Sequence, residues 1–402
     1  MSMAKTGNDV VITGVGIVTC QGVGKEAHAA VLGAESAPAL RIDTERFAPY
    51  PVHPMPEIDW SQQIPKRGDQ RQMENWQRLG VFTAGLALDD AGFKDDAEAC
   101  GTMDMIVAAG GGERDIAVDS LIVDEGLKRN DREQLLNEKL TTELRPTLFL
   151  AQLSNLLAGN ISIVHKVTGS SRTFMGEEAA GIGAVETAFH RIRAGQSTHM
   201  LVGGALVAER QDVIMLYEAM GAHATGGWTP LWSRDEKAGG GIVTGTAAAF
   251  LVLESREHAE ARGARIYATV DAIGGDRGAR DDGRLEARLD RLAEGEGFEP
   301  STTVVFSGAS GQHGLTAREK AWLETRFAGS AVRGFSAVTG QALEAQFPLG
   351  LALAALTLGA GATVAPFDAA AEAIMTAPAQ KAVVTTVGHA RGEGLAILSA
   401  ET

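Results

Sequence analysis

Apolar and polar stretches alternate along the 402-residue chain in a pattern typical of an α/β protein. The longest apolar run covers residues 349–365, is rich in alanine and glycine, and is bounded by Pro348 and Pro366. Because it is too short for a membrane span, we expect a buried helix followed by a strand. Residues 277–303 are highly charged instead. They predict an exposed helix with solvated faces.

The size and composition of the chain allow a large buried core. Hydrophobic residues make up 45% of the sequence, and 49 residues are glycine. A single core stops growing at about 250–300 residues, so this chain should form two domain-sized halves. We predict residues 1–256 and 257–402 as these halves, each a βαβαβ-type layer. No internal repeat is visible in the sequence.

Charge and cysteine content narrow the environment and the partners. The formal net charge is −15, which argues against a general nucleic-acid surface. Two unpatterned cysteines, Cys20 and Cys100, fit a reducing cytoplasm and show no zinc-binding spacing. Residues 1–9 lack the hydrophobic core of a signal peptide. We therefore expect a cytoplasmic protein that binds neither nucleic acid nor membrane, and we predict no cofactor and no metal.

The most informative stretch covers residues 171–205. It reads SRTFMGEEAAGIGAVETAFHRIRAGQSTHMLVGGA, a short strand, a helix and an apolar strand that ends in GGA. This order resembles the nucleophile region of the β-ketoacyl-acyl carrier protein synthases, the ketosynthases of the thiolase superfamily. With Gly181, Gly195 and Gly203 kept in register without a gap, the family's reactive cysteine falls on Glu178.

The resemblance extends over nearly the whole chain. Residues 233–270, SRDEKAGGGIVTGTAAAFLVLESREHAEARGARIYATV, are close to a highly specific run of the family that ends in RGA-x-IYA. Further counterparts are residues 10–24, 67–93, 144–169 and 388–394, the last at the place of the family's GFGGTN turn. The resemblance implies a five-layer αβαβα thiolase-like fold of two similar halves, related by a pseudo-twofold axis.

Glu178 changes the chemistry expected at the nucleophile position. The family's cysteine lies at a helix N-terminus, where unpaired N–H groups and the helix dipole favour a thiolate. The same field favours a carboxylate, but a carboxylate is a weak nucleophile towards a thioester. Neither Cys20 nor Cys100 stands at a strand-to-helix turn beside a base, so neither replaces the nucleophile. Glu177 and Glu178 are also compatible with ordinary acidic residues in the first turn of a helix.

The other catalytic positions implied by the resemblance are altered as well. The family uses two histidines to stabilise the thioester oxyanion and assist decarboxylation, and a lysine and a glutamate to hold the network. The first histidine becomes Gly308 and the second becomes Gln341. The lysine becomes Ser336 and the glutamate becomes Thr246. Because both ends of the supporting ion pair are absent, no buried charge is left alone.

Two histidines keep further interpretations open. A five-residue slip of the alignment makes His313 the first catalytic histidine, but it lengthens the preceding turn and shortens the following helix. His389 falls on the family's gating phenylalanine, with Arg391 and Glu393 nearby. A lone histidine among small residues is more often structural than catalytic. We keep both histidines as alternative site residues.

These substitutions predict a non-catalytic ketosynthase-like subunit. Synthases of this family are dimers whose substrate pocket reaches the interface, so an inactive subunit can shape the acyl tunnel of an active partner. Chain-length factors of type II polyketide synthases resemble this arrangement, with glutamine in place of the cysteine. We expect a heterodimer with an active β-ketoacyl-acyl carrier protein synthase, and residues 146–163 and 171–176 at the interface and tunnel. Acyl carrier protein is expected to act through the complex, since an acidic carrier docks poorly on an acidic chain.

Three alternatives stay open. The first is an enzyme in which Glu178 acts as a base for malonyl decarboxylation or thioester hydrolysis. The missing oxyanion histidines count against it, since loss of one such donor costs about 100- to 1000-fold in rate. The second is a homodimeric acyl-chain-binding protein. The third is an active synthase in a different register, which only His313 supports.

Overall fold

The computed structural model describes residues 6–234, 239–294 and 297–401. The strands are β1 Val10–Thr19, β2 Gly22–Val23, β3 Val52–His53, β4 Asp104–Ala108, β5 Ser171–Phe174, β6 His199–Leu206, β7 Thr244–Gly245, β8 Ala247–Ser255, β9 Ala268–Asp276, β10 Thr303–Ser307, β11 Ala331–Gly334, β12 Lys381–Val387 and β13 Glu393–Ser399. The helices are α1 Gly24–Leu32, α2 Arg67–Gln72, α3 Asn75–Asp90, α4 Ala97–Thr102, α5 Ile116–Gly126, α6 Arg132–Thr142, α7 Leu148–Ala151, α8 Leu156–His165, α9 Glu178–Arg193, α10 Gln211–Ala219, α11 Arg256–Ala261, α12 Arg284–Leu292, α13 Leu315–Arg326, α14 Ser336–Thr339 and α15 Gln346–Ala360.

The strand order contains a duplication. The path runs β11-β10-β12-β13-β9-β1-β8-β6-β4-β5. When the strands of each set of five are numbered along the chain, both β5-β4-β6-β8-β1 and β11-β10-β12-β13-β9 have the order 3-2-4-5-1. In both sets, the second strand pairs in parallel with the third and fourth, and the fifth pairs antiparallel with the fourth and first. The structure therefore contains the two similar halves that the sequence does not display.

Helices form three layers around these strands. Helices α3 and α8 share one apolar cluster with β4, β6 and β8, and α12 and α13 share another with β10, β12 and β13. Helices α9 and α15 lie in the central cluster between the two sets. This arrangement confirms the five-layer αβαβα fold. The first set ends at β8 and the second begins at β9, so we propose residues 1–256 and 257–402 as the two halves.

The apolar run 349–365 forms a helix without the strand expected after it. Segment Leu343–Ala360 is 89% buried and has a mean hydropathy of 1.4, so it meets the length and composition of a membrane span while lying inside the protein. Gly361 ends α15 in the left-handed region, with φ of 56°. The Val364 carbonyl then accepts hydrogen bonds from the buried Arg333 guanidinium, and the next strand begins only at Lys381. The prediction of a strand within this run was wrong, because the backbone at Val364 hydrogen-bonds to the buried Arg333 side chain.

The charged stretch 277–303 is less exposed than predicted. Its helix, α12, buries Leu285 and Leu289 in the apolar cluster of the second half. Arg288 is buried too, and its Nε donates to Glu393 Oε2 at 2.9 Å. Residues 295 and 296 lie outside the described part of the chain. The prediction of solvated faces was wrong for the face of α12 that packs on the core. The charged residues around Leu285 and Leu289 obscured the apolar face in the sequence.

Gly16 provides a test of the helix-to-strand packing in the first half. A Cβ at this position would lie 2.1 Å from the Thr83 carbonyl oxygen and 2.7 Å from the Ala87 nitrogen, both backbone atoms of α3. We expect Gly16→Ala to lower the free energy of unfolding by about 1–3 kcal/mol, since α3 must move. Urea titration of the purified chain measures this change.

Gly101, in α4, is the matched control, because a Cβ there meets no atom within 4 Å. Gly101→Ala should leave the free energy of unfolding unchanged or raise it by up to about 1 kcal/mol, through helix propensity. Equal destabilisation by the two substitutions would show that the close approach of α3 to β1 is not what limits residue 16.

Candidate active site

The position that the resemblance assigns to the nucleophile lies at a strand-to-helix turn. Strand β5 ends at Phe174, and α9 begins at Glu178, whose side chain is fully buried. Glu177 has φ of 57° and ψ of −136°, a conformation that costs a residue with a side chain about 1–3 kcal/mol. Strain of this kind persists where the surrounding packing imposes it, often at functional sites. The turn thus places Glu178 deep between the two halves.

Glu178 is held by two residues from the second half. Its Oε1 accepts a hydrogen bond from Gln341 Nε2 at 2.5 Å and from the His389 backbone N–H at 3.1 Å. His389 Nδ1 lies 3.0 Å from Oε1 and 3.3 Å from Oε2. The structure therefore brings together three positions that the sequence analysis named separately, although Glu178 and His389 are 211 residues apart.

The contact between Glu178 and His389 is an ion pair. Burial opposes the charge of Glu178, but the hydrogen bond and positive charge of His389 outweigh burial and hold the pKa of Glu178 below its usual value. Burial also opposes the charge of His389, but the hydrogen bond and negative charge of Glu178 raise the pKa of His389 above its usual value. The contact therefore favours a carboxylate beside an imidazolium.

The remaining altered positions form separate contacts. Gln346 Nε2 lies 2.8 Å from Ser336 Oγ and 3.4 Å from the Gly308 carbonyl oxygen, so Gln346 joins these two positions. Thr246 Oγ1 accepts from the Ala208 N–H at 2.9 Å and lies 3.3 Å from Glu209 Oε2. Sequence reasoning missed Gln346, because the first turn of an apolar helix gives no sign of a polar contact.

His313 lies apart from this network. Gly308 follows β10 directly, whereas His313 lies in the loop before α13, where its Nε2 contacts the Gly239 carbonyl oxygen. Among the described residues, His313 has no hydrogen bond to Glu178, Gln341 or His389. The structure brings His389, and not His313, into contact with Glu178.

A cavity of about 450 Å³ adjoins the strained turn. Glu177, Tyr217 and Glu344 line it, together with the cationic side chains Arg114 and Arg210. Burial raises the pKa of Glu344 to about 7, and the charges of Glu178 and Glu177 add to the shift. Burial likewise raises the pKa of Glu177 and of Tyr217.

Glu344 and Tyr217 were not predicted from the sequence as site residues. Glu344 follows Gln341 by three residues, while nothing in the sequence distinguishes Tyr217.

Two carboxylates of the strained turn and the His389 imidazole form a potential metal-binding group. Glu177, Glu178 and His389 each offer one ligand atom, and these atoms lie within 4.8 Å of one another. In the described part of the chain, neither cysteine makes a hydrogen bond to these three residues. Cys20 and Cys100 are buried free thiols, and burial raises their pKa to about 12 and about 11.

The five-layer arrangement, with a strained turn leading into a central helix, is a thiolase-like fold. A family model described as the N-terminal domain of beta-ketoacyl synthases matches residues 7–259. The chain belongs to the beta-ketoacyl synthase family.

The curated relatives match about two thirds of the chain. The 3-oxoacyl-[acyl-carrier-protein] synthase 2 of Vibrio cholerae is 27% identical over 66% of this chain and 62% of its own length. The synthase of the same name from Rhizobium meliloti is 29% identical over 66% of this chain and 63% of its own length. The matched region thus spans less than two thirds of these relatives.

Solved structures match the whole fold. The ishigamide ketosynthase/chain length factor has a TM-score of 0.77 at 22% identity, covering 98% of this chain and 99% of that chain. A beta-ketoacyl synthase from Burkholderia phymatum has a TM-score of 0.76 at 22% identity, covering 98% of this chain and all of that chain. At this identity the similarity establishes the shared architecture.

The ion pair between Glu178 and His389 can be tested with a double-mutant cycle. His389→Phe leaves a buried carboxylate without its cation and should lower the free energy of unfolding by about 3–5 kcal/mol. Glu178→Gln combined with His389→Phe removes both charges and should cost less than His389→Phe alone. Urea unfolding of the four proteins at pH 6 measures the coupling. Additive effects would mean that the two side chains do not interact.

The same interaction should depend on pH. Because the pKa of His389 is raised, its contribution is complete below about pH 6.5 and is lost as the pH rises through the folded value. Because the pKa of Glu178 is lowered, its contribution is present above about pH 4.3 and is lost as the pH falls through the folded value. The coupling free energy should therefore be largest between these limits and decline towards pH 9. A coupling that is constant from pH 5 to pH 9 would contradict a charged imidazole.

Proposed function

We propose that this chain is a non-catalytic, chain-length-factor-like subunit that pairs with an active β-ketoacyl-acyl carrier protein synthase and shapes its acyl tunnel. The pathway class is fatty acid or polyketide chain elongation. The observation that carries the proposal is that the Glu178 side chain is buried and hydrogen-bonded to both Gln341 and His389. A nucleophile must be free to reach the thioester carbon, and this carboxylate is not.

The surroundings of Glu178 also lack the means to stabilise an oxyanion. Gly308 carries no side chain, and the Gln341 amide already donates to Glu178. His389 Nδ1 faces the Glu178 carboxylate, so this nitrogen is not available to an oxyanion. Removal of one oxyanion donor typically costs about 100- to 1000-fold in rate, so these changes support an inactive site. We therefore propose Glu178, Gly308, Gln341, Ser336 and Thr246 as degenerate catalytic positions.

An exposed apolar surface supports the proposed pairing. Strand β5 ends the strand path and, among the described strands, pairs only with β4. Next to it in sequence, Met175 is 65% exposed, and Phe149 is 67% exposed within the segment 146–163. An unpaired strand edge with exposed apolar side chains favours association with another chain. We propose segments 146–163 and 171–176 as the interface.

A heterodimer is favoured over a homodimeric acyl-binding protein. The cavity beside Glu177 contains the charged side chains of Arg114, Arg210 and Glu344, which suit a hydrocarbon chain poorly. One structural neighbour is a ketosynthase/chain length factor, and another is a type II acyl-carrier protein in complex with its ketosynthase. By analogy we propose an active ketosynthase as the direct partner and acyl carrier protein as a partner of the complex.

The proposed location is the cytoplasm. Cys20 and Cys100 are buried free thiols, as is usual in a reducing compartment. The one described segment with the length and apolarity of a membrane span is packed inside the protein. Both features fit a protein that works in aqueous surroundings.

Reconstitution of the complex tests the function. The chain is co-purified with an active ketosynthase of the same gene neighbourhood, and condensation of malonyl- and acyl-carrier protein is followed by mass spectrometry. We expect turnover only in the complex, retained within about twofold by Glu178→Gln and lost when the partner's cysteine is replaced. Turnover by this chain alone that disappears in Glu178→Gln would make it an enzyme and overturn the proposal.

The interface has its own test. Phe149→Glu places a charge on the apolar surface and should weaken the complex at least tenfold, since a desolvated charge without a partner is costly. Ile374→Glu is the matched control, because Ile374 is 78% exposed but lies in the second half, far along the chain from both proposed segments. Size-exclusion chromatography with light scattering measures the two complexes. Equal weakening by both variants would argue against the proposed surface.

A further inference from the structure

The imidazole of His389 has one engaged and one unengaged nitrogen. Nδ1 contacts the Glu178 carboxylate, whereas Nε2 has no hydrogen-bond partner among the described residues. The side chain is only 4% exposed, so solvent does not satisfy Nε2. A buried polar atom without a partner costs about 1–3 kcal/mol. The unpartnered Nε2 therefore indicates that a further group binds in the space beside it.

A carboxylate oxygen of the strained turn lies close to Nε2. His389 Nε2 lies 3.8 Å from Glu177 Oε2, which is too far for a hydrogen bond. A zinc-like ion binds imidazole nitrogen at about 2.0–2.1 Å and carboxylate oxygen at about 2.0–2.2 Å. Since these lengths add up to about 4.1 Å, one ion can contact both atoms without a large movement of either side chain.

A second side chain next to His389 also has a buried polar atom without a partner in the described part of the chain. Tyr217 is 1% exposed, and its hydroxyl has no hydrogen-bond partner in the described part of the chain. Its ring lies against the His389 ring with a centroid distance of 5.1 Å. Tyr217 and Glu177 also line the same cavity, of about 450 Å³. Water or a small ligand in that cavity can supply the remaining coordination positions of an ion.

We propose that His389 Nε2 and Glu177 bind a transition-metal dication such as Zn²⁺ or Co²⁺, which displaces the Nε2 proton of the imidazolium into solvent, while Glu178 positions the imidazole from its other side. Imidazole and carboxylate ligands suit these ions. A metal-binding histidine usually donates its second ring N–H to a carboxylate, which fixes the ring and raises its basicity. The contact between Glu178 and Nδ1 has this arrangement. The site goes beyond the proposed function and does not depend on the chain being inactive.

Metal titration of the untagged chain tests the site. The protein is stripped with a chelator and dialysed, then titrated with Co²⁺ by visible absorption and with Zn²⁺ by calorimetry. We expect one equivalent to bind. Binding should be lost in His389→Ala and in Glu177→Gln, and should weaken about 10- to 100-fold in Glu178→Gln.

His190→Ala is the matched control, because His190 is an exposed histidine on α9. It should bind Co²⁺ as the unaltered chain does. X-ray absorption of the unaltered chain with Zn²⁺ is a second measurement that needs no variant to fold, and it should show one imidazole nitrogen among oxygen ligands. The proposal fails if the site stays empty at millimolar metal, if His190→Ala abolishes binding, or if the bound ion has no imidazole ligand.

Discussion

Close packing of the central layer is the constraint on which the rest of the structure depends. Helix α9 approaches the segment before α15 so closely that a Cβ at Gly181 would lie 2.4 Å from the Glu344 carbonyl oxygen. A Cβ at Gly204, in β6, would lie 3.0 Å from the same atom. Small residues at these points allow the two halves to meet backbone to backbone. That contact places Gln341 and Glu344 beside the N-terminus of α9.

At this meeting point the position that the resemblance assigns to a reactive cysteine holds a hydrogen-bonded carboxylate. A reactive thiolate needs a free approach, whereas Glu178 is surrounded by donors and paired with a cation. The replacement stays anionic, so the field of the helix N-terminus is still satisfied. The imidazole adds a nitrogen that faces Glu177, which gives the closed site a polar edge towards the cavity.

Sequence reasoning was strongest where motifs are local. The register through Gly181, Gly195 and Gly203 located Glu178 at a helix start, and the α/β pattern gave the fold class. Prediction from the sequence failed where contacts between distant segments determine the structure. An example is the strand expected near Val364, whose carbonyl instead accepts a hydrogen bond from Arg333. Tyr217 was not predicted as a site residue for the same reason. Its role depends on a ring contact with a residue far along the chain, and no spacing rule records such a contact.

The repeated strand order has a consequence for how this protein can change. Glu178 follows β5 and Gln341 follows β11, and each of these strands is third in its own half. The hydrogen bond between them therefore joins corresponding loops of a duplicated unit. A chimera carrying the first half of this chain and the second half of an active synthase would set Glu178 against a loop built for a different counterpart. A change in one of these two segments therefore alters the surroundings of the other, so the two halves constrain each other's sequence at this point.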